Sequence, residues 1–354
     1  GGGSIQGPQG VPGANGPAGP AGLSYRNLLI NGQPNVWQRG AGGAATFTQS
    51  AAGNLYTADR WQLKTAGTPV TVSQVAGRFP NSYAARIQRT SASTLTSQVD
   101  FGQTITRARA VAAIGNYIVF SFQAKAGANL SAMPTAIIYG GTGSTDLSAL
   151  STGFTGQSVL ASLQPTLTTS WQAFYFAVPN TIASTTTQLA IDFQWIPVGT
   201  AGSDDSFYVT ENQIEVGQVP TTFEWKDFAT TLVDCLPYFQ KSYIYSIAPK
   251  TNLAAGNEYF YYPAAAPPNA YKSFNFTAPM ISTPSLSVYS YLASASNVLS
   301  YLTGANTYSD TLTGGAVPVI ITNRSFQISN QTTANFSTTY FNGSIQWLAD
   351  ADLY

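Results

Sequence analysis

The sequence contains no histidine. That omission removes Ser-His-Asp and Cys-His nucleophiles, imidazole metal ligands and the commonest general base together. Hydrolysis of a glycosidic bond needs only two carboxyl groups about 5 to 9.5 Å apart, and among fifteen acidic residues the adjacent pair is Asp204 with Asp205. Following the Gly/Ser-containing stretch 199–203, this pair reads as a turn or as ligands of a structural calcium ion rather than as an acid and a nucleophile. The expectation is a protein without catalysis, with polysaccharide cleavage at Asp204 and Asp205 as the alternative. Gly140-Gly141-Thr142-Gly143 lacks the lysine of a phosphate-binding loop and no helical pattern follows it, so it reads as a turn. Cys235 stands alone; no disulfide can form within one chain, and its apolar neighbours predict burial. The side chains left for recognition are aromatic. A pyranose lays its C–H face on an aromatic ring while amides and hydroxyls take its oxygens. Tyr259, Tyr261 and Tyr262 in the run Tyr259-Phe260-Tyr261-Tyr262-Pro263, with Tyr301 and Tyr308, are the candidate contacts; packing in a core or between subunits is the competing reading.

The elements that position these residues are strands. Only 8% of the residues are charged, fifteen basic against fifteen acidic, which leaves no electrostatic footprint for nucleic acid or an anionic membrane. No apolar run approaches the ~20 residues of a membrane-spanning helix, so no membrane insertion is expected. Ser, Thr, Asn, Gln and Gly supply the polar surface, a composition suited to sheets and turns, and the predicted class is all-β. Tyr117–Lys125, Trp171–Phe176, Gln188–Trp195 and Phe207–Thr210 mix β-branched and aromatic residues at strand length. Turn residues separate them, as in a sandwich. Helical spacing occurs once, at Phe228, Leu232, Cys235, Leu236 and Phe239, with Asp227 placed to cap the start. Pro237 predicts an end at about Leu236 and a strand over Tyr238–Tyr243. Alternation over Ser285–Tyr291, Val317–Ile321 and Ser325–Ile328 predicts a second sheet with one buried face.

Glycine returns at every third place at Gly7, Gly10, Gly13, Gly16, Gly19 and Gly22, with Pro8, Pro12, Pro17 and Pro20 between them. This is the period of collagen, in which only glycine fits at the axis shared by three chains, so a homotrimer is expected. A flexible Gly/Pro linker is the competing reading. So few triplets do not hold together unaided, and the domains that follow must supply most of the association. The opening Gly1-Gly2-Gly3-Ser4 reads as the middle of a linker, which predicts an anchoring region upstream. Three parts result: a collagen-like stalk over 1–23, a sandwich over 24–226, and a short linking helix with a C-terminal sandwich over 227–354.

Asn27-Leu28-Leu29-Ile30-Asn31-Gly32, Trp37-Gln38-Arg39-Gly40 and Tyr56-Thr57-Ala58-Asp59-Arg60-Trp61 resemble the opening of bacteriophage tail fibre domains built as carbohydrate-binding-module-like jelly rolls. Gln213-Ile214-Glu215-Val216-Gly217, followed by Pro220 and Phe223-Glu224, is similar to the closing strand of that domain. Phe274-Asn275-Phe276-Thr277-Ala278-Pro279-Met280, Pro284 and the run from Ile345 to Tyr354 are similar to the family's small C-terminal sandwich, and these motifs are shorter. The resemblance implies an eight-to-ten-strand sandwich in a virion fibre that adsorbs to the bacterial surface, often through glycans, and joins other virion proteins through its upstream region. A head- or capsid-attached fibre is the alternative placement, and a bacterial collagen-like surface adhesin shares the stalk. Within the motifs, Trp61 is expected in the core and Arg60 is expected to pair with Asp59. The C-terminal sandwich is expected to lie farthest from the stalk.

Overall fold

Alternating burial builds two sheets facing each other. The computed structural model describes residues 25–41, 45–251, 256–263, 271–290, 292, 296, 300–302, 308–310, 317–329 and 340–352; the glycine triplets of 7–22 lie outside the described residues. Twelve strands form the first unit: β1 (Thr46–Gln49), β2 (Gly53–Tyr56), β3 (Gln62–Thr65), β4 (Val70–Ala76), β5 (Tyr83–Arg89), β6 (Val99–Ile105), β7 (Ile118–Ala126), β8 (Thr135–Gly141), β9 (Ser158–Leu163), β10 (Gln172–Ala177), β11 (Gln188–Trp195) and β12 (Ser206–Val216). They make one six-stranded sheet in the order β1-β4-β5-β12-β7-β10 and another in the order β2-β3-β6-β11-β8-β9. Every pairing is antiparallel. The sandwich thus has more strands than the eight to ten expected, the additions including the short edge strands β1 and β2.

The core between the sheets is aromatic. Trp61 is fully buried as expected and stacks on Phe101 at 5.0 Å, and Phe122 meets Phe193 edge to face at 5.0 Å. Each such ring removed from water contributes about 1.5–3 kcal/mol. Strand β4 shows the alternation of a one-sided sheet, whereas β6 is buried at every position and β11 at all but Gln194. A central strand buried on both faces needs cover on its outer side as well, and here the cover is the 142–157 segment.

Two sequence expectations need correction in this unit. Gly140 and Gly141 are not a turn but the end of β8, where a side chain on Gly141 would run into Phe154 at 2.5 Å. The closing run Gln213–Val216 is not a separate strand; it continues Phe207–Thr210 as β12 across a bulge between Thr210 and Gln213. The extra residue of the bulge interrupts the side-chain alternation between the two runs, and Glu211 takes a left-handed φ of 51° there.

A short turn of helix, α1 (Arg107–Ala110), closes one end of the sandwich, and α2 (Phe228–Cys235) leads out of it. The Asp227 side chain accepts from the Thr230 amide at 2.7 Å, and the helix stops before Pro237, both as predicted. Cys235 is buried, but Phe228 is 40% exposed, so the apolar spacing does not lie wholly on one buried face. The second unit comprises β13 (Phe239–Lys241), β14 (Glu258–Pro263), β15 (Tyr271–Asn275), β16 (Ser285–Tyr289), β17 (Ser300–Leu302), β18 (Tyr308–Asp310), β19 (Val317–Ile321), β20 (Ser325–Ser329) and β21 (Tyr340–Asp350). Strand β21 is its axis: β14 and β17 flank the first half, β13 and β16 the second. It begins earlier than the predicted closing run and ends at Asp350. A three-stranded sheet, β15-β20-β19, completes the unit over Phe274, Phe276, Phe326 and Trp347.

The two units share a buried polar seam. Arg60 does not pair with Asp59 as the sequence suggested: its guanidinium pairs with Asp352, donates to the Thr104 carbonyl at 2.9 Å and lies 3.8 Å over the Tyr238 ring. Arg39 joins Asp352 at 2.6 Å and Asp350 at 2.9 Å. Asp59 instead accepts from the Gln38 amide and side chain. Burial pushes the Asp59 carboxyl up to about 6 against the pull of Arg39 and the Gln38 hydrogen bonds. Asp352 is 292 residues from Arg60, and local spacing carries no signal of such a partner.

Candidate ligand-binding cleft

Cross-strand register brings a set of polar side chains onto the outer face of the second sheet. Lys64 on β3 lies opposite Asp100 on β6, Asp100 lies opposite Gln194 on β11, Asp192 lies opposite Gly102, and Tyr139 on β8 lies opposite Ala190. Val99, Phe101, Ile191 and Phe193 face the core, so the alternate residues Asp100, Ala190, Asp192 and Gln194 point outward. Gly102 permits the close approach of β6 to β11, because any side chain there would meet the Ile191 carbonyl.

A flap shapes the trough. Ser148 donates to Gln62 at 2.6 Å, Thr104 accepts from the Ala149 amide at 3.1 Å, and Lys64 donates to the Leu150 carbonyl at 2.5 Å. Beneath it, Ala149, Leu150 and Phe154 pack on Ala190 and Tyr139 as a small apolar cluster. Beside this cluster opens a shallow cleft of about 120 Å³, lined by Lys64, Gln98, Asp100, Tyr139, Ala149, Leu150, Gln157 and Asp192. That is smaller than the roughly 300–1,000 Å³ of an ordinary small-molecule site, so it admits part of a ligand and leaves the rest at the surface.

The floor is an acid pair. Asp100 and Asp192 hydrogen-bond to each other, and Gln98 donates to Asp100 at 2.7 Å. Burial raises both carboxyls, most strongly Asp192, which also feels the charge of Asp100; Lys64 pulls the other way on both. Two buried carboxyls in contact cannot both ionise cheaply, so the pair holds a proton above the ordinary carboxylate range. Burial, reinforced by Asp192 and Asp100, raises the Tyr139 phenol to about 12, so it stays a hydroxyl at neutral pH. One ammonium, two amides, a phenol and an acid pair with raised carboxyls can both donate and accept, which suits a hydroxyl-rich ligand. Hydrolysis fits poorly, since paired carboxyls in contact leave no room for a glycosidic oxygen between them.

The site residues read from the sequence lie elsewhere. Asp204 pairs with Arg86 at 2.6 Å and accepts from the Ala128 amide, while Asp205 pairs with the buried Arg89 at 2.7 Å and accepts from the Ser131 amide. Each carboxylate is engaged by its own arginine, and among the described residues no group of three or more His, Cys, Asp or Glu converges on a metal position. Tyr259, Tyr261 and Tyr262 fall on β14, with Tyr259 58% exposed. Tyr301 and Tyr308 fall on the paired strands β17 and β18, where Tyr308 lies opposite Leu302. Strands β14 and β17 both border β21, so backbone topology places the tyrosine strands in one sheet. The cleft residues were missed because Lys64, Asp100, Tyr139 and Asp192 are ordinary polar residues in strands and the rest lie in connecting segments. An acid at the centre of an apolar strand, as in Gln188–Trp195, was the available signal.

No protein-family model and no curated protein matches the sequence. Among solved structures the chain is similar to the enzymatically active domain of tailspike protein 4 of bacteriophage CBA120, at 11% identity and a TM-score of 0.31, covering 55% of this chain and 22% of that one. It is similar to the CBM22-1 xylan-binding domain from Paenibacillus barcinonensis, at 9% identity and a TM-score of 0.32, covering 56% of this chain and 100% of that one. It is also similar to the family 11 carbohydrate-binding module from Clostridium thermocellum in complex with a β-1,3-1,4-mixed-linked tetrasaccharide, at 15% identity and a TM-score of 0.30, covering 49% of this chain and 100% of that one. The chain therefore spans about a fifth of the tailspike domain and the full length of both modules.

Proposed function

We propose that this protein is a trimeric bacteriophage fibre segment whose first sandwich binds a glycan of the bacterial surface without cleaving it. The cleft over Asp100 and Asp192 carries the proposal: its open trough offers donors and acceptors together, and its acids touch each other instead of standing apart. The fibre motifs at Asn27–Gly32, Trp37–Gly40 and Tyr56–Trp61 and the glycine period of 7–22 support the setting. Three copies raise weak single-site contacts to useful avidity, and the low charge makes adsorption insensitive to salt. The tyrosines of β14, β17 and β18 form the second candidate surface.

A glycan-array screen with the full chain, followed by titration of the best binder, tests this reading. Lys64→Ala is expected to weaken binding about tenfold, the loss of one charged hydrogen bond, while Tyr259→Ala leaves it unchanged. The reverse pattern would move the site to β14. Release of reducing ends from host polysaccharide would overturn the non-catalytic reading.

A further inference from the structure

Alternation also gives the first sheet an outer face. Phe122, Ala124, Phe207, Val209 and Ile87 turn to the core, so the residues between them, Arg86 on β5, Tyr208 on β12 and Lys125 on β7, point away from it. Register sets these three side by side: Arg86 lies opposite Tyr208, and Tyr208 opposite Lys125. Trp171, just ahead of the edge strand β10, completes the row. Its ring meets the Tyr208 ring edge to face at 6.3 Å, and the Lys125 ammonium lies 5.1 Å over Trp171 and 4.5 Å over Tyr208. On the same face Gln123 lies opposite Ala173, and Ser121 lies opposite Tyr175, which is 57% exposed.

The charges around this row are paired, with one exception. Arg86 holds Asp204 at 2.6 Å, and farther along β12 Glu211 holds Arg78 and Glu215 holds Arg26. Lys125 has two ring faces and, among the described residues, no carboxylate. The Gln123 and Ser121 side chains make no hydrogen bond among the described residues. An ammonium with its charge available therefore stands on an aromatic surface beside an amide and a hydroxyl. A neutral sugar would need only the rings and the polar groups; the charge calls for an anion. A carboxylated pyranose meets both demands, with its C–H face on a ring and its carboxylate at Lys125. Trp171 and Tyr175 are four residues apart, about 13 Å along an extended strand, so an oligosaccharide rather than a single sugar ring spans them. We propose that Trp171, Tyr175, Tyr208 and Lys125 form a binding face for an acidic oligosaccharide. It is separate from the cleft on the second sheet and stands whether or not that cleft binds.

Calorimetric titration of the full chain tests it, with trisaccharides of galacturonic acid and of glucuronic acid as probes and the methyl esters of both as neutral controls. At least one acid is expected to bind, and its ester about tenfold more weakly, the size of one charge-assisted contact. Lys125→Gln is expected to cost the acid the same factor. Lys125→Arg, which restores the cation, is expected to keep most of the affinity and so separates loss of the contact from a disturbed sheet. Tyr175→Ser, at an exposed position, is expected to weaken acid and ester alike, while Lys64→Ala in the cleft leaves both unchanged. No binding by either acid, or equal binding of acid and ester, would overturn the acidic-sugar assignment. Equal binding of an oligoglutamate would overturn it too, since the ammonium would then be attracting any anion. Loss of binding on Lys64→Ala with Lys125→Gln unaffected would move the acid into the cleft, which overturns this face and leaves the proposed function standing.

Discussion

Arg60 holds a left-handed backbone, φ 73°, while its side chain is buried. A non-glycine residue in that region costs roughly 1–2 kcal/mol, and the ion pair with Asp352, the Thr104 carbonyl and the Tyr238 ring are what hold it. Asp352→Asn keeps the shape and removes the charge, leaving Arg60 buried beside a neutral amide. The expected loss is about 3–5 kcal/mol in chemical denaturation, with the two units melting separately. A loss below 1 kcal/mol would mean that the seam is held by packing alone. The acid pair predicts a pH effect of a particular sign. Asp192 is raised in the folded protein, so its stabilising contribution is complete below the ordinary carboxylate range and is lost as pH rises through the folded value. Asp192→Asn should therefore leave the melting temperature nearly unchanged at pH 4 and raise it by a few degrees at pH 8; a wild-type profile as flat as the variant's would contradict the shared proton. The burial of Cys235 was legible from its apolar neighbours, and that of Trp61 was expected within the motif Tyr56–Trp61. The partners of Arg60, Asp204 and Asp205 were not, because an ion pair is chosen by proximity in space and the sequence records only proximity along the chain.

Strand-scale patterns were more legible, and their failures are instructive. The runs 117–125, 171–176 and 188–195 reappear within a residue or two as β7, β10 and β11, because period-two alternation and β-branched content are local properties. The capped helix ended where Pro237 demanded. What alternation could not resolve was the bulge that joins two predicted strands into β12, nor the partner order of either sheet. The site depends on that order: Lys64, Asp100 and Asp192 converge only because β3, β6 and β11 are neighbours in register. Gly102 is the contact point of this arrangement. Gly102→Ala should push β6 from β11, costing about 1–3 kcal/mol by overpacking and disturbing the acid pair; an alanine variant with wild-type stability would show that the strands can spread without harm.

For the whole molecule, the seam through Arg39, Arg60, Asp350 and Asp352 joins the two units through buried ion pairs. Composition and period by themselves determined the all-β class, the absence of histidine chemistry, the capped helix α2 and the glycine repeat, since each follows from residue type and short-range spacing; the short α1 gave no such signal. Tertiary structure alone decided the rest: which sheet carries a cleft, that its floor is two neighbouring aspartates, and that the adjacent acids at 204 and 205 serve two arginines. The physical reason is common to all three. Burial, hydrogen bonding and carboxyl ionisation depend on what surrounds a group in three dimensions, and residues far apart in the chain supply those surroundings.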